Sequence, residues 1–333
     1  MKPKLSLILK IIAALTAFAF MLPLASADEE KTEDSYIKWV DFDVTAGAME
    51  DAARVDTETY GTDSHIDWIT LLSLLGARYG GDFSHYKKSD LDWIVSELTS
   101  GKQPLEITSN PKLYTYYTEA YGAVLGGMLG EYIKTERSES GEVTVTSEYG
   151  VRAFSPFARG YYYSDFDDFG VSRSFGYKRR HLGHDMMGSV GTPIVAVESG
   201  YVEALGWNMY GGWRCGIRSF DGKRYYYYAH LRKNHPYADL YEGKTVMAGE
   251  VIGYLGMTGY SSRENVNNIT TPHLHYGLEV IFEPSQKDGW NQIWIDMYEI
   301  TKFLSSRRAA TYYDEAQNER VSRVYYTYGD TPD

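Results

Sequence analysis

The chain of 333 residues has a single cysteine, Cys215, so an intrachain disulfide is excluded. A protein working outside a reducing compartment without disulfides must rely on its core or on a bound metal. Cys215 sits in the strand-like run GGWRCGIRSF. With no cysteine partner it reads as a buried apolar residue and not as a metal ligand. Positive charge is in deficit: 33 Lys and Arg face 45 Asp and Glu, a formal charge of −12, which excludes nucleic acid as a general partner. No H-E-x-x-H helix is present, so the glutamate base of that arrangement is missing. Long apolar runs are missing everywhere except at the N-terminus.

That N-terminus, MKPKLSLILKIIAALTAFAFMLPLASADEE, has Lys2, Lys4 and Lys10 ahead of the apolar stretch Ile11–Leu24, and ASA before Asp28. This is the layout of a secretory signal cleaved after Ala27, and it predicts an extracytoplasmic protein, secreted or in the cell envelope. The alternative is an uncleaved anchor, because the apolar run stretches back to Leu5 and approaches a membrane span. Only in that case is a membrane a partner.

The predicted architecture is α+β. Residues 1–27 are the signal, 28–134 a small helical domain, 135–170 a linker with entry strands, 171–304 a compact antiparallel β domain, and 305–333 a polar tail, extended or disordered. In the helical part, DSHIDWITLLSLLGARYGG is capped at Asp63 or Ser64. It repeats Ile66, Ile69, Leu72 and Leu75 at three-residue steps and stops at Gly80. SDLDWIVSELTSG takes Ser89 as its cap, and the last helix opens with Asn110 and Pro111. His65 and His85 are isolated there and read as structural, which leaves protein interaction as a role for this domain. TERSESGEVTVTSEYG suits a linker or a hairpin. Beyond it, short runs rich in Tyr, Val and Gly are separated by turn residues, as in an antiparallel β domain.

Six of the eight histidines fall between residues 181 and 275. In TTPHLHYGLEV, alternation predicts a strand, so His273 and His275 look into one space while Leu274 and Tyr276 face the other way. Upstream, RRHLGHD places His181 and Asp185 four apart in a glycine-rich loop. One imidazole and one carboxylate from that loop, with one imidazole from the far strand, make three ligands and leave a fourth position for water. Zinc fits this set, and so does iron. His230, in YYYYAHLRK, adds another imidazole. Metal-assisted hydrolysis also needs a group that takes a proton from water and one that stabilises the oxyanion, roles that spare histidines fill.

The stretches SFGYKRRHLGHD, GTPIVAVESGYV, YYAHL, GEVIGYLGMTGYSS and PHLHYGLE, from Phe175 to about Glu283, resemble the lysostaphin-type, LytM-like zinc endopeptidases of bacterial cell walls, metallopeptidase family 23. H-x-x-x-D, A-H-L and H-x-H in that order are far more specific together than singly. The resemblance covers about a third of the chain and leaves out the helical part. It implies the duplicated-hybrid-motif β fold and one Zn²⁺ per chain. His181, Asp185 and His275 match the family's ligands, and His230 and His273 its two non-ligand catalytic histidines. The implied reaction is hydrolysis of peptide bonds in the stem or cross-bridge of peptidoglycan. The presence of all five residues argues against an inactive wall-binding or regulatory relative. Export and the extra H-x-H imidazole argue against a two-His-one-carboxylate iron oxygenase.

The remaining features read more plainly. His184 stands where the family has an apolar residue and is taken as a non-functional loop position; His235 is a loop histidine. RENVNNITT is a surface insertion. YYYSDFDDF, with three acids close together, is a solvated loop. Tyr225–Tyr228 put two rings in the core and two toward a groove. Arg179 and Arg180 are surface residues able to attract carboxylates.

Overall fold

The computed structural model describes residues 37–175, 178–287 and 291–329. The expected signal segment lies outside the described residues. Among the described residues no helix is long and apolar enough to cross a membrane.

After β1 (Lys38–Val40) come five helices: α1 (Ala46–Thr59), α2 (Trp68–Tyr79), α3 (Lys88–Thr99), α4 (Pro104–Ile107) and α5 (Pro111–Leu125). The expected cap of α5 holds, with the Asn110 side chain accepting from Leu113 N and Pro111 in the first turn. Gly80 closes α2 at φ +64. The start of α2 differs from the expectation. Asp67 is the cap, accepting from Thr70 N, because His65 is held by Asp56 at 2.8 Å and Ile66 N by the Thr59 hydroxyl at 3.1 Å. In α3, Ser89 lies inside the helix, and Lys87 stands at the cap position without a side-chain bond.

Then follow β2 (Leu129–Arg137), β3 (Val143–Val151), β4 (Ser164–Asp165), β5 (Ser172–Arg173), β6 (Arg179–Arg180), β7 (His184–Met187), β8 (Pro193–Val195), β9 (Gly200–Asn208), β10 (Gly212–Ser219), β11 (Arg224–Ala229), β12 (Thr245–Val246), β13 (Val251–Tyr254), β14 (His273–Val280) and β15 (Ile293–Ile295). Helix α6 (Tyr298–Leu304) and the strands β16 (Thr311–Asp314), β17 (Glu319–Ser322) and β18 (Val324–Thr327) complete the order. The main sheet runs β1-β15-β14-β11-β10-β9-β12, with β7 beside β14 and β4 beside β7. Its pairings are antiparallel except β1 with β15. Strand β14 is central: β11 flanks one side, while β7 and β15 share the other.

Alternation decides what the sheet buries. Leu274, Tyr276, Leu278 and Val280 of β14 enter the core together with Tyr226 and Tyr228 of β11. Fully burying such a side chain contributes about 1.5–3 kcal/mol. One apolar cluster runs from Phe42 and helices α1, α2 and α5 through the main sheet to Leu304. Arg224 ties them further, donating to Glu198 at 2.8 Å and to Ala123 O, in α5, at 3.0 Å.

Among the described residues the helices share an apolar core with the sheet. The segment after residue 134 takes the hairpin form of the two expected, with β2 and β3 paired from Leu129↔Val151 to Arg137↔Val143. The polar tail is ordered into strands, and β18 pairs with β2 from Val324↔Glu136 to Thr327↔Ile133. Polar side chains suit these narrow sheets because much of their surface meets solvent.

Candidate metal centre

Register places the residues. Pairing of β14 with β7 sets His275 opposite Asp185, and pairing of β14 with β11 sets His275 opposite Ala229, the residue before His230. His273, two residues along β14, shares the outward face with His275. His181 arrives from the turn between β6 and β7. All five expected residues therefore meet at one end of the sheet, beside a cleft of about 100 Å³ lined by His181, Asp185, His230, His275, Tyr227 and Tyr260, among others.

Three atoms form a near-equilateral triangle. His181 Nε2 lies 3.0 Å from Asp185 Oδ1 and 2.9 Å from His275 Nδ1, and His275 Nδ1 lies 3.0 Å from Asp185 Oδ1. Ligand bonds of about 2.0–2.1 Å to tetrahedral zinc give edges of roughly 3.3 Å. The triangle is close to one face of that tetrahedron. His181, Asp185 and His275 are also the one group of three such residues, among the described residues, whose donor atoms converge this way. Gly183 makes it possible, since a Cβ there would stand 2.6 Å from His275 Cε1.

Asp168, behind the triangle, fixes the tautomer of His181. His181 Nδ1 donates to the backbone oxygen of Asp168 at 3.1 Å and faces the Asp168 carboxylate at the same distance, which leaves Nε2 as the free lone pair. Arg173 donates to Asp168 at 2.7 Å and to Asp185 at 3.2 Å, holding the second carboxylate oxygen of each. Burial disfavours charge on Asp185, but the adjoining imidazoles of His181 and His275 outweigh it and hold the carboxyl well below its usual range. Burial likewise lowers the pKa of His181, yet Asp168 and Asp185 raise it to about 9. Burial lowers that of His275 despite Asp185.

The two other imidazoles are tied by the opposite nitrogen. His230 Nδ1 donates to Thr258 O at 2.8 Å, and His273 Nδ1 to Thr271 O at 2.8 Å. A carbonyl only accepts, so each Nδ1 bears the hydrogen and each Nε2 is the acceptor. His273 Nε2 stands 3.8 Å from Asp185 Oδ1, and the rings of His273 and His230 are 4.7 Å apart. Burial, then the neighbouring imidazoles of His273 and His275, keep the pKa of His230 well below its ordinary value. His230 also has φ +61, a left-handed conformation rarely adopted outside glycine. Such strain persists where surrounding structure imposes it.

Some plain readings change and others hold. The YYYSDFDDF run is largely solvated, with Tyr162 and Phe166 exposed, but Asp168 within it is 1% exposed and orients His181. His184 is buried on the reverse face of β7, where its Nε2 meets Asp165 at 2.8 Å. The run RENVNNITT is mostly exposed, as a surface insertion should be, and is tied down by Asn265, which accepts from Trp213 Nε1 at 3.0 Å. Tyr227 and His275 meet edge to face across the cleft, while Tyr226 and Tyr228 fill the core as alternation predicts. Cys215 is fully buried, and burial pushes its thiol up to about 12. Spacing gave no sign of Asp168 or Arg173. Only the density of acids just upstream of His181 hinted at them.

A His–Asp–His triangle stands at the end of an antiparallel sheet, with two more imidazoles beside it, and makes a candidate metal centre. Residues 179–288 match the profile of Peptidase family M23. Across 116 residues the chain is 40% identical to the L-Ala–D-Glu endopeptidase of Bacillus subtilis (strain 168), a stretch covering 35% of this chain and 34% of that protein. Across 132 residues it is 33% identical to lysostaphin of Staphylococcus simulans, covering 39% of this chain and 23% of the other. The chain thus spans about a third or less of these curated relatives. A LytM crystal structure from Ruminococcus gnavus ATCC 29149 shares the fold over 84% of this chain and 92% of its own, at a TM-score of 0.50 and 21% identity.

Proposed function

We propose that the chain is an extracytoplasmic zinc metalloendopeptidase that hydrolyses peptide bonds in bacterial peptidoglycan, in the stem peptide or the cross-bridge. The observation that carries this reading is the triangle of His181 Nε2, Asp185 Oδ1 and His275 Nδ1 with two free imidazole acceptors beside it. The relatives supply the substrate class, being named an L-Ala–D-Glu endopeptidase and lysostaphin. The N-terminal signal layout supplies the compartment.

The donor set fits zinc: two imidazoles and a carboxylate, with sides near a tetrahedral face and room in the cleft for a further ligand. When bound, zinc supplies Lewis acidity, polarising a peptide carbonyl and lowering the pKa of water toward about 7. The protein's residues do the rest. His230, kept neutral by burial, offers Nε2 to accept a proton from water. Once protonated, the same nitrogen donates to an oxyanion or to the departing amine. His273 Nε2, 3.8 Å from Asp185 Oδ1 and with its ring beside that of His230, serves the same exchange. Asp168 and Arg173 hold His181 and Asp185 in place, so little reorganisation is needed when substrate arrives.

The inactive reading is disfavoured by the convergence of all five residues, with carbonyl oxygens fixing the tautomers of His181, His230 and His273. Digestion of purified sacculi by the protein, with and without chelator, followed by mass spectrometry of the released muropeptides, tests the proposal. Chelator-sensitive release of peptides with new amino termini is expected. No release by fully zinc-loaded protein would overturn it.

A further inference from the structure

Arg179 and Arg180 line the cleft that holds His181, Asp185, His230 and His275, yet neither takes part in the chemistry above. The third cleft arginine, Arg173, is neutralised by Asp168 and Asp185. The other two are not: among the described residues neither forms an ion pair with a carboxylate. Arg179 Nη1 donates to Phe175 O at 2.8 Å, and Arg180 Nη1 donates to Gly170 O at 2.8 Å. A chain with 45 acidic groups against 33 basic ones thus keeps two uncompensated cations at its candidate active cleft.

Both guanidinium groups are also held in place. Arg179 lies 4.7 Å from the ring centroid of Tyr210 and 5.6 Å from that of Tyr260, and Phe175 stacks on Tyr260 at 4.7 Å. Arg180 lies 5.7 Å from the ring of Trp39. Stacking and one backbone bond fix the plane of Arg179 while leaving its Nε and Nη2 hydrogens for another acceptor. A guanidinium fixed this way loses little freedom when it binds, and its fork matches a carboxylate.

We infer that Arg179, assisted by the field of Arg180, binds a free carboxylate on the substrate residue next to the cleaved bond. This rests on the peptidase reading and deepens it, selecting peptides that are acidic at that position. Arg179 lines the same cleft as His181, Asp185 and His275, so a carboxylate held there belongs to a residue close to the reacting peptide group. Tyr210 and Tyr260 act as positioning residues.

The test uses two stem tetrapeptides, L-Ala–D-Glu–L-Lys–D-Ala, both with amidated C-termini. One keeps the D-Glu carboxylate free and the other carries a carboxamide there. Calorimetric binding to metal-free protein separates recognition by arginine from coordination to a cation. Cleavage by the zinc-loaded protein is measured alongside. The free carboxylate is expected to bind about tenfold or more tighter, with the same ratio in kcat/KM. The difference should vanish in Arg179→Gln and return in part in Arg179→Lys, which keeps the charge if glutamine disturbs the β5–β6 hairpin. Equal or undetectable binding of both peptides to the wild-type protein overturns the inference, as does a preference that survives in Arg179→Gln. A binding preference without cleavage of either peptide upholds the carboxylate site and removes cleavage within the stem, leaving the cross-bridge as the bond hydrolysed. Cleavage without preference does the reverse.

Discussion

Asp168 lies outside the triangle but controls it, and two substitutions separate its charge from its hydrogen bond. Its Oδ2 accepts from Arg173 at 2.7 Å and faces His181 Nδ1 at 3.1 Å, in a setting 1% exposed. Asp168→Asn can keep an oxygen at that point while losing the charge. Charge-assisted hydrogen bonds are roughly twice as strong as neutral ones, so zinc affinity should fall about tenfold, or about 1.4 kcal/mol. Asp168→Ala removes the carboxylate altogether and leaves only the backbone oxygen to fix the His181 tautomer. Loss of such an outer partner typically costs 10–100-fold in affinity, and the alanine variant should lie near the upper end. Arg173 is not orphaned by either change because Asp185 still accepts from it at 3.2 Å. Competition titration against a chromophoric chelator gives the affinities, and circular dichroism checks the fold. An alanine variant that is folded and binds zinc with wild-type affinity would refute the reasoning.

Further outcomes follow from the same geometry. Gly183→Ala should drive His275 out of the triangle and cut zinc content in atomic emission analysis, since the added Cβ meets the ring at 2.6 Å. His273→Ala should retain zinc and lower kcat by about 10²–10⁴, the usual worth of a positioned acid–base group, in a stopped muropeptide assay. Glu198→Ala should lower stability by about 3 kcal/mol in urea unfolding, because it strips the buried Arg224 of its main partner while Asp221 remains at 2.9 Å. Asp296 is raised to about 6 by burial, with Asp167 and Asp41 adding to it. A carboxyl with a raised folded pKa binds its proton more tightly folded than unfolded, so its contribution is lost as pH climbs from the ordinary aspartate value through about 6. Asp296→Asn should therefore gain stability over wild type above pH 6, on the order of 2–3 kcal/mol, and keep the acceptor for Tyr298 N.

Much of the centre was legible because local rules govern it. Two-residue alternation put His273 and His275 on one face and Leu274 and Tyr276 in the core, as the burial of β14 shows. The H-x-x-x-D spacing and H-x-H pair needed only a sheet to bring them together. Asp168 was not legible. Its burial depends on Arg173 and on His181 thirteen residues away, and a run of tyrosines and aspartates looks locally like a solvated loop. His184 was misjudged for a similar reason, its partner Asp165 coming from the neighbouring strand β4. The tail was read as extended or disordered because its pairing partner, β2, precedes it by nearly two hundred residues, beyond any local signal. The start of α2 moved because Asp56, in the preceding helix, takes both the His65 ring and Trp68 N.

Zinc-edge X-ray absorption of the loaded protein would probe the proposed convergence most directly. Four nitrogen or oxygen scatterers near 2.0–2.1 Å are expected, two of them imidazoles, with one imidazole lost in His275→Ala. A sulfur scatterer near 2.3 Å, or a spectrum unchanged in His275→Ala, would contradict a site built from His181, Asp185 and His275.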